Sequence, residues 1–331
     1  MDLFLIIIII LFILAISDLI VGVSNDAVNF LNSAVGAKVA PRHIILIVAS
    51  IGILIGTTFS SGLMEVARKG IFNPDMFYLP DIMTVFLAVM LTDVLLLDLF
   101  NTFGMPTSTT VSIVFELLGA AIAVAVLKVI EMGQGVAEII DYINTSKALA
   151  IISGILISVV VSFTVGAIIQ YFTRLVFTFD YEKRVKRYGS IFGALTLTAI
   201  TLFILMKGAK GASFISAENS EWIENNLATI ALYSIIIWAV VFQLLLWFTK
   251  INILKPIVLL GTFALALAFA ANDLVNFIGV PLAGFSAYNI GLDSSNPMTH
   301  LMVELKGKVT TPTLFFHWSS AWSTVNFIST P

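Results

Sequence analysis

The chain has 331 residues, 59% of them hydrophobic and 11% charged, with a net charge of −3. Such a composition excludes a soluble globular domain, and the acidic balance argues against nucleic acid as a partner. There is no cysteine, so neither a disulfide framework nor thiol chemistry is available.

Long apolar runs cover residues 3–23, 43–63, 82–100, 104–130, 148–173, 189–206, 227–248 and 256–271, with a weaker one over 277–292. About 20 apolar residues is the length needed to span a bilayer core. Backbone polar groups in lipid must be satisfied internally, which leaves helices or a closed barrel. The short alternating segments of a barrel are absent from the sequence. The predicted fold class is therefore an all-α polytopic membrane protein. The start, Met1-Asp2-Leu3, lacks a basic n-region, so the first run is expected to be a retained span.

Lys and Arg set the orientation. Arg174, Lys183, Arg184, Lys186 and Arg187 form the strongest basic loop, which belongs in the cytoplasm. Lys38, Arg42, Lys250 and Lys255 then also fall inside, whereas Arg68 and Lys69 fall outside and disagree. The acidic loops with Glu131, Glu138 and Asp141, and with Glu218, Glu221 and Glu224, lie outside. The expectation is a multi-pass protein of the cell (inner, cytoplasmic) membrane with its N-terminus outside.

Asn25-Asp26-Ala27-Val28-Asn29-Phe30 recurs, with one change, as Asn272-Asp273-Leu274-Val275-Asn276-Phe277. Each copy follows a long apolar run. Acids and amides there are expensive in lipid, so function is the default explanation. The span count carries the two copies into the membrane from opposite faces, which predicts an inverted-topology repeat with its site where the repeats meet. Residues 1–207 are read as the first repeat, and 250–331 as the start of an incomplete second one, within a single transmembrane domain.

Asn25, Asn29 and Asn32 share a helix face with Asp26 beside them; Asn272 and Asn276 repeat the spacing around Asp273. Carboxylate and carboxamide oxygens suit Na⁺, or proton exchange at Asp. A coupling cation, Na⁺ or H⁺, is accordingly expected at Asp26 and Asp273, with Asn29 and Asn276 beside it. The same groups could instead only tie helices together.

The segment from Asn101 to Thr110 interrupts an apolar stretch. Gly104 should break the first half, and Pro106 suits the first turn of a new helix. A helix start leaves its first N–H groups without internal acceptors, and its dipole favours an anion. Thr107, Ser108, Thr109 and Thr110 are therefore candidate anion ligands, on a broken or re-entrant helix. A Pro-kinked turn capped by its own threonines is the alternative. Asp18, Asp93, Asp98 and Glu116 are further acids inside apolar runs. Glu116 and Asp93 are expected to line or support the same cavity. His43, His300 and His317 show no metal-ligand spacing, and no Walker A sequence is present. An enzyme is not expected. A passive anion channel is disfavoured, because channels tend to use rings of identical groups.

The duplicated Asn-Asp-x-x-Asn motif and the segment Gly104-Met105-Pro106-Thr107-Ser108-Thr109-Thr110 resemble those of the PiT family of inorganic phosphate transporters, and Arg68-Lys69-Gly70-Ile71 resembles another of its stretches. The resemblance implies import of phosphate with Na⁺ or H⁺ as coupling ion by alternating access, no further cofactor, and a homodimer. Sulfate is the alternative oxyanion. It assigns substrate and cation roles to Asn25, Asp26, Asn29, Asn272, Asp273, Asn276 and Ser108 to Thr110. The chain departs from the family at three places. Where many members carry a Glu in the second span it has Gly52-Ile53, and the usual His after Ser-Thr-Thr is Val111. No second Pro-x-Ser-Thr-Thr hairpin follows Phe277, so the second repeat is expected to be C-terminally incomplete.

Overall fold

The computed structural model describes residues 2–57, 70–178, 181–211, 217–249 and 251–307; the side chains of residues 2, 207–211, 217, 272, 274 and 275 fall outside that description. Within it the protein is helical, with isolated bridges but no strand. The helices are α1 Asp2–Gly36, α2 Arg42–Thr57, α3 Leu79–Thr102, α4 Thr109–Glu131, the single turn α5 Ile139–Tyr142, α6 Thr145–Phe177, α7 Tyr181–Gly211, α8 Ala217–Asn225, α9 Leu227–Phe248, α10 Leu254–Asn272 and α11 Leu274–Asp293. Among the described residues seven segments are long and apolar enough to cross a membrane, counting Leu254–Asp293 as one.

Most expected spans match these helices, with informative shifts at their ends; the second is described only as the 16 residues of α2, since 58–63 lie outside the described residues. α1 does not stop before the first Asn-Asp motif but runs on to Gly36. Its 35 residues extend about 52 Å, well past a hydrocarbon core of about 30 Å. Polar side chains that find protein partners leave the helical backbone intact, so the motif does not end the helix. The second copy behaves differently: α10 ends at Asn272, and Asp273 stands at the N-cap position of α11 without a side-chain capping bond.

The chain forms two compact units: residues 1–28, 60–155 and 272–331, and residues 29–59 and 156–271. In the first unit, one face each of α1, α3, α4 and α11 meets in a shared core. Leu11, Phe86, Leu117 and Ala283 are fully buried there. Small residues allow close approach: Gly22 of α1 lies against the Phe277 ring, where a Cβ would collide, and Gly284 faces Leu11. One end of this unit is closed by backbone pairing. Asn73 N–H donates to Tyr142 O at 2.8 Å, Asn144 N–H to Ile71 O at 2.9 Å, and Met302 N–H to Phe77 O at 3.1 Å. Lys306 adds an ion pair to Asp75 at 2.7 Å.

In the second unit, α7 and α9 pack around Leu197 and Phe242, with Gly193 under the Phe242 ring. Gly52 of α2 abuts α10, and a Cβ there would stand 2.6 Å from Phe263 O. That position admits no side chain in this packing. The outer part of α6 is apolar on all sides and exposed, as at Val160 and Phe163, which is the signature of a lipid-facing helix. Arg68, Lys69 and the tail from Thr313 to Pro331 lie outside the described residues.

Candidate functional site

The site grows from the break between α3 and α4. α3 ends in a Schellman arrangement: Gly104 N–H donates to Asn101 O at 3.0 Å and Met105 N–H to Phe100 O at 2.9 Å. Gly104 adopts φ of +64°, the left-handed conformation that glycine tolerates without a Cβ penalty. The chain then runs extended to Ser108, the N-cap of α4, whose hydroxyl accepts from Val111 N–H. Pro106 therefore precedes the cap and does not occupy the first turn of α4. The cap falls on Ser108 because its side-chain oxygen can satisfy an orphan first-turn donor, which Pro106 cannot.

Asn25 fastens this break to α1. Its Nδ2 donates to Asn101 Oδ1 at 2.7 Å and to Met105 O at 3.2 Å, while its Oδ1 accepts from Thr107 N–H at 2.9 Å. Asn101 Nδ2 donates in turn to Val21 O at 2.8 Å. One buried amide thus satisfies both polar faces of a non-helical segment, as buried backbone requires.

The first two residues of α4 reach the two Asn-Asp copies. Thr109 Oγ1 donates to Asp26 Oδ2 at 3.3 Å, and Thr110 Oγ1 donates to Asp273 Oδ1 at 2.8 Å. Asn276 Nδ2 donates to Thr110 Oγ1 at 3.0 Å. Acids from sequence-distant motifs are thereby drawn to adjacent hydroxyls at one helix N-terminus. Asp26 is buried, in an environment otherwise built from apolar spans. Carboxylates so placed offer oxygens to a cation, and first-turn amides of α4 offer donors to an anion. No group of three or more acidic, histidine or cysteine side chains is arranged to hold a metal ion among the described residues. Any cation here would lean on hydroxyl, amide and backbone oxygens, as hard monovalent ions can.

The phosphate transporter family matches residues 22–315, which is most of the chain. This chain belongs to that family. Its similar relatives include proteins named as candidate phosphate permeases. That of Pyrococcus abyssi is 24% identical over 300 residues, covering 86% of this chain and 68% of the relative. That of Thermococcus kodakarensis is 25% identical over 284 residues, covering 81% and 64%. The chain thus spans about two thirds of the length of these curated relatives. A solved structure described as the sodium-dependent phosphate transporter aligns with a TM-score of 0.65 over 97% of this chain and 83% of its own, at 20% identity, which is a likeness of fold.

Within this family member, Asn25, Asp26, Thr107, Ser108, Thr109, Thr110, Asp273 and Asn276 gather in one compact unit. Asn29 lies one turn beyond Asp26, exposed, where α1 enters the other unit. The side chain of Asn272 falls outside the described residues. Asp93 and Glu116 are joined through Ser112, whose Oγ lies 2.8 Å from Asp93 Oδ1 and 2.7 Å from Glu116 Oε1. Sequence reasoning passed over Asn101 and Ser112 as site residues. Asn101 could have been suspected from its place one residue before the end of an apolar helix, but its pairing with Asn25 is purely tertiary.

Proposed function

We propose that the chain is a secondary active transporter that imports inorganic phosphate with Na⁺ or H⁺ by alternating access. The observation that carries this reading is the convergence of Asp26 and Asp273 on adjacent hydroxyls at the start of α4. Phosphate takes the amides and hydroxyls around Thr107 to Thr110, where Asn25 holds the chain extended. Its charge is balanced by a cation at Asp26 and Asp273, with Asn276, Asn29 and Asn272 as supporting groups. The matched motifs support an inverted repeat, 1–207 against the residues from 250 onward, within a multi-pass protein of the cell membrane whose N-terminus is outside. The family resemblance supports a homodimer.

The relatives' names and the family support phosphate as substrate. The test is uptake of labelled phosphate by proteoliposomes holding the purified chain, with an inward gradient of Na⁺ or of protons imposed separately. Uptake driven by either gradient, and displaced by unlabelled phosphate more effectively than by sulfate, is the expected result. Uptake indifferent to both gradients would sink the coupled mechanism.

A further inference from the structure

Beyond Asp26 and Asp273, the first unit buries a second group of acids. Asp93 of α3 and Glu116 of α4 contact the Ser112 hydroxyl at 2.8 and 2.7 Å. Asp18 of α1 is fully buried beside the Asp93 carboxyl and within electrostatic reach of Glu116, and no hydroxyl, amide or basic group among the described residues meets either of its carboxyl oxygens. One oxygen each of Asp93 and Glu116 is likewise buried and unmatched. The group comprises Asp18 from α1, Asp93 from α3 and Glu116 from α4, with Asp26 of α1 within electrostatic reach of Asp93. α1, α3 and α11 contain no Lys, Arg or His. The lone cation of α4, Lys128, pairs with Asp81 at 2.6 Å. It stands about 18 Å along the helix from Glu116.

Two features of this arrangement ask for a ligand. Uncompensated carboxylates in the interior of a membrane domain are prohibitively costly. The hydrogen count gives the ligand's identity. A serine hydroxyl carries one hydrogen, and ionised carboxylates only accept. Ser112 can donate to Asp93 or to Glu116 but not to both, so the second short contact requires a hydrogen on a carboxyl. A metal ion would instead need several of these oxygens around one point, an arrangement not found among the described residues. An open, largely apolar cavity of about 640 Å³ between α3 and α4 lies beside the group, lined by Thr92, Leu96, Phe100, Thr107, Ser112 and Glu116. It touches both the acid group and the segment that opens α4.

We propose that Asp18, Asp93, Glu116 and Ser112 form a proton-binding site, distinct from Asp26 and Asp273 and entered from the cavity at Glu116. A proton from solvent attaches to a Glu116 carboxyl oxygen, is shared through Ser112 with Asp93, and leaves by the reverse path. Thr109, Ser112 and Glu116 recur at i, i+3 and i+7 on α4, so the acid group and the Asp26 contact lie on one helix face. Resting on the transport reading, proton occupancy would then bias the position of the half-helix that phosphate uses.

The site itself is tested without transport. Infrared difference spectra of the purified full chain in lipid should show the carbonyl stretch of a protonated carboxyl, sensitive to deuterium, near neutral pH. Glu116→Gln, Asp93→Asn and Asp18→Asn should each remove or shift that band. Glu116 is less buried than the other two, so Glu116→Gln serves if an aspartate variant fails to fold. A band unchanged in Glu116→Gln, or absent from the unsubstituted chain, overturns the proposal. So does loss of the band on adding Na⁺ at constant pH, which would give the site to a metal cation. In proteoliposomes the ratio of phosphate uptake with and without an inward proton gradient should fall toward one in Glu116→Gln. Where the unsubstituted chain takes up more phosphate under the proton gradient, a ratio unchanged by the substitution overturns the proposal; where it does not, the infrared result decides. If the unsubstituted chain moves no phosphate, the transport reading fails, and the infrared result alone decides the proton site.

Discussion

Asp26 and Asp273 meet neighbouring hydroxyls from two different backbone settings, one inside an unbroken helix and one at a helix junction. Substituting either by asparagine preserves size and removes the charge that a coupling cation needs. Asp26→Asn and Asp273→Asn are each expected to abolish gradient-driven phosphate uptake, measured in proteoliposomes. Normal uptake by both would dismiss their assignment. Gly22 lies close to the first motif, and Phe277 of the second motif packs directly on it. Gly22→Ala forces the ring aside, at a cost of about 1–3 kcal/mol for overpacking. Its expected signature is a lowered melting temperature together with weakened phosphate binding.

At the scale of elements, the α3–α4 hairpin is held at both ends. At the closed end, Lys128 of the last α4 turn pairs with Asp81 of the first α3 turn at 2.6 Å and lies 3.9 Å from the Tyr78 ring centroid. Asp81 Oδ2 also accepts from Tyr78 N–H at 2.8 Å. Removing one partner of a largely buried pair strands the other, so Lys128→Met should cost roughly 3 kcal/mol of stability, read by thermal or denaturant unfolding in detergent. A loss under about half a kcal/mol would mean that the pair behaves as a surface one. At the broken end the helix start offers up to about 2 kcal/mol of dipole attraction to a partly buried anion. Hydrogen bonds to a charged group add about 1.5–3 kcal/mol each. Ser108→Ala and Thr109→Val should therefore each weaken phosphate binding by about tenfold or more, since about 1.4 kcal/mol is a factor of ten. Titration calorimetry with phosphate checks this, and an unchanged affinity in the double variant would move the anion site elsewhere.

For the molecule as a whole, the proposed orientation rests on where its basic residues lie. The last turn of α6 carries Arg174 and the start of α7 carries Lys183, Arg184, Lys186 and Arg187, while α8 carries Glu218, Glu221 and Glu224. The protein lacks cysteine, so single introduced thiols report cleanly. An impermeant thiol reagent added to intact cells should label Glu221→Cys and spare Lys183→Cys. The opposite pattern would invert the topology and with it the assignment of the N-terminus.

The sequence alone determined the membrane class, the approximate spans, the break at Gly104 and the recurrence of the Asn-Asp motif. Each of these depends on local pattern: run length against bilayer thickness, a glycine where φ must be positive, a repeated polar string where lipid makes polarity costly. Helix ends were less legible, because Asn25 and Asp26 read as the end of a run until partners on a distant segment keep α1 helical through them. Only the tertiary structure decided that Asn25 clamps the α3–α4 break, that Gly52 has no space for a side chain, and that Ser112 stands between two acids. Such facts depend on which helix faces meet, and hydrophobic runs without a strong polar stripe do not encode that by periodicity. The acids at 18, 93 and 116 are scattered in sequence and become a group only when three helices pack.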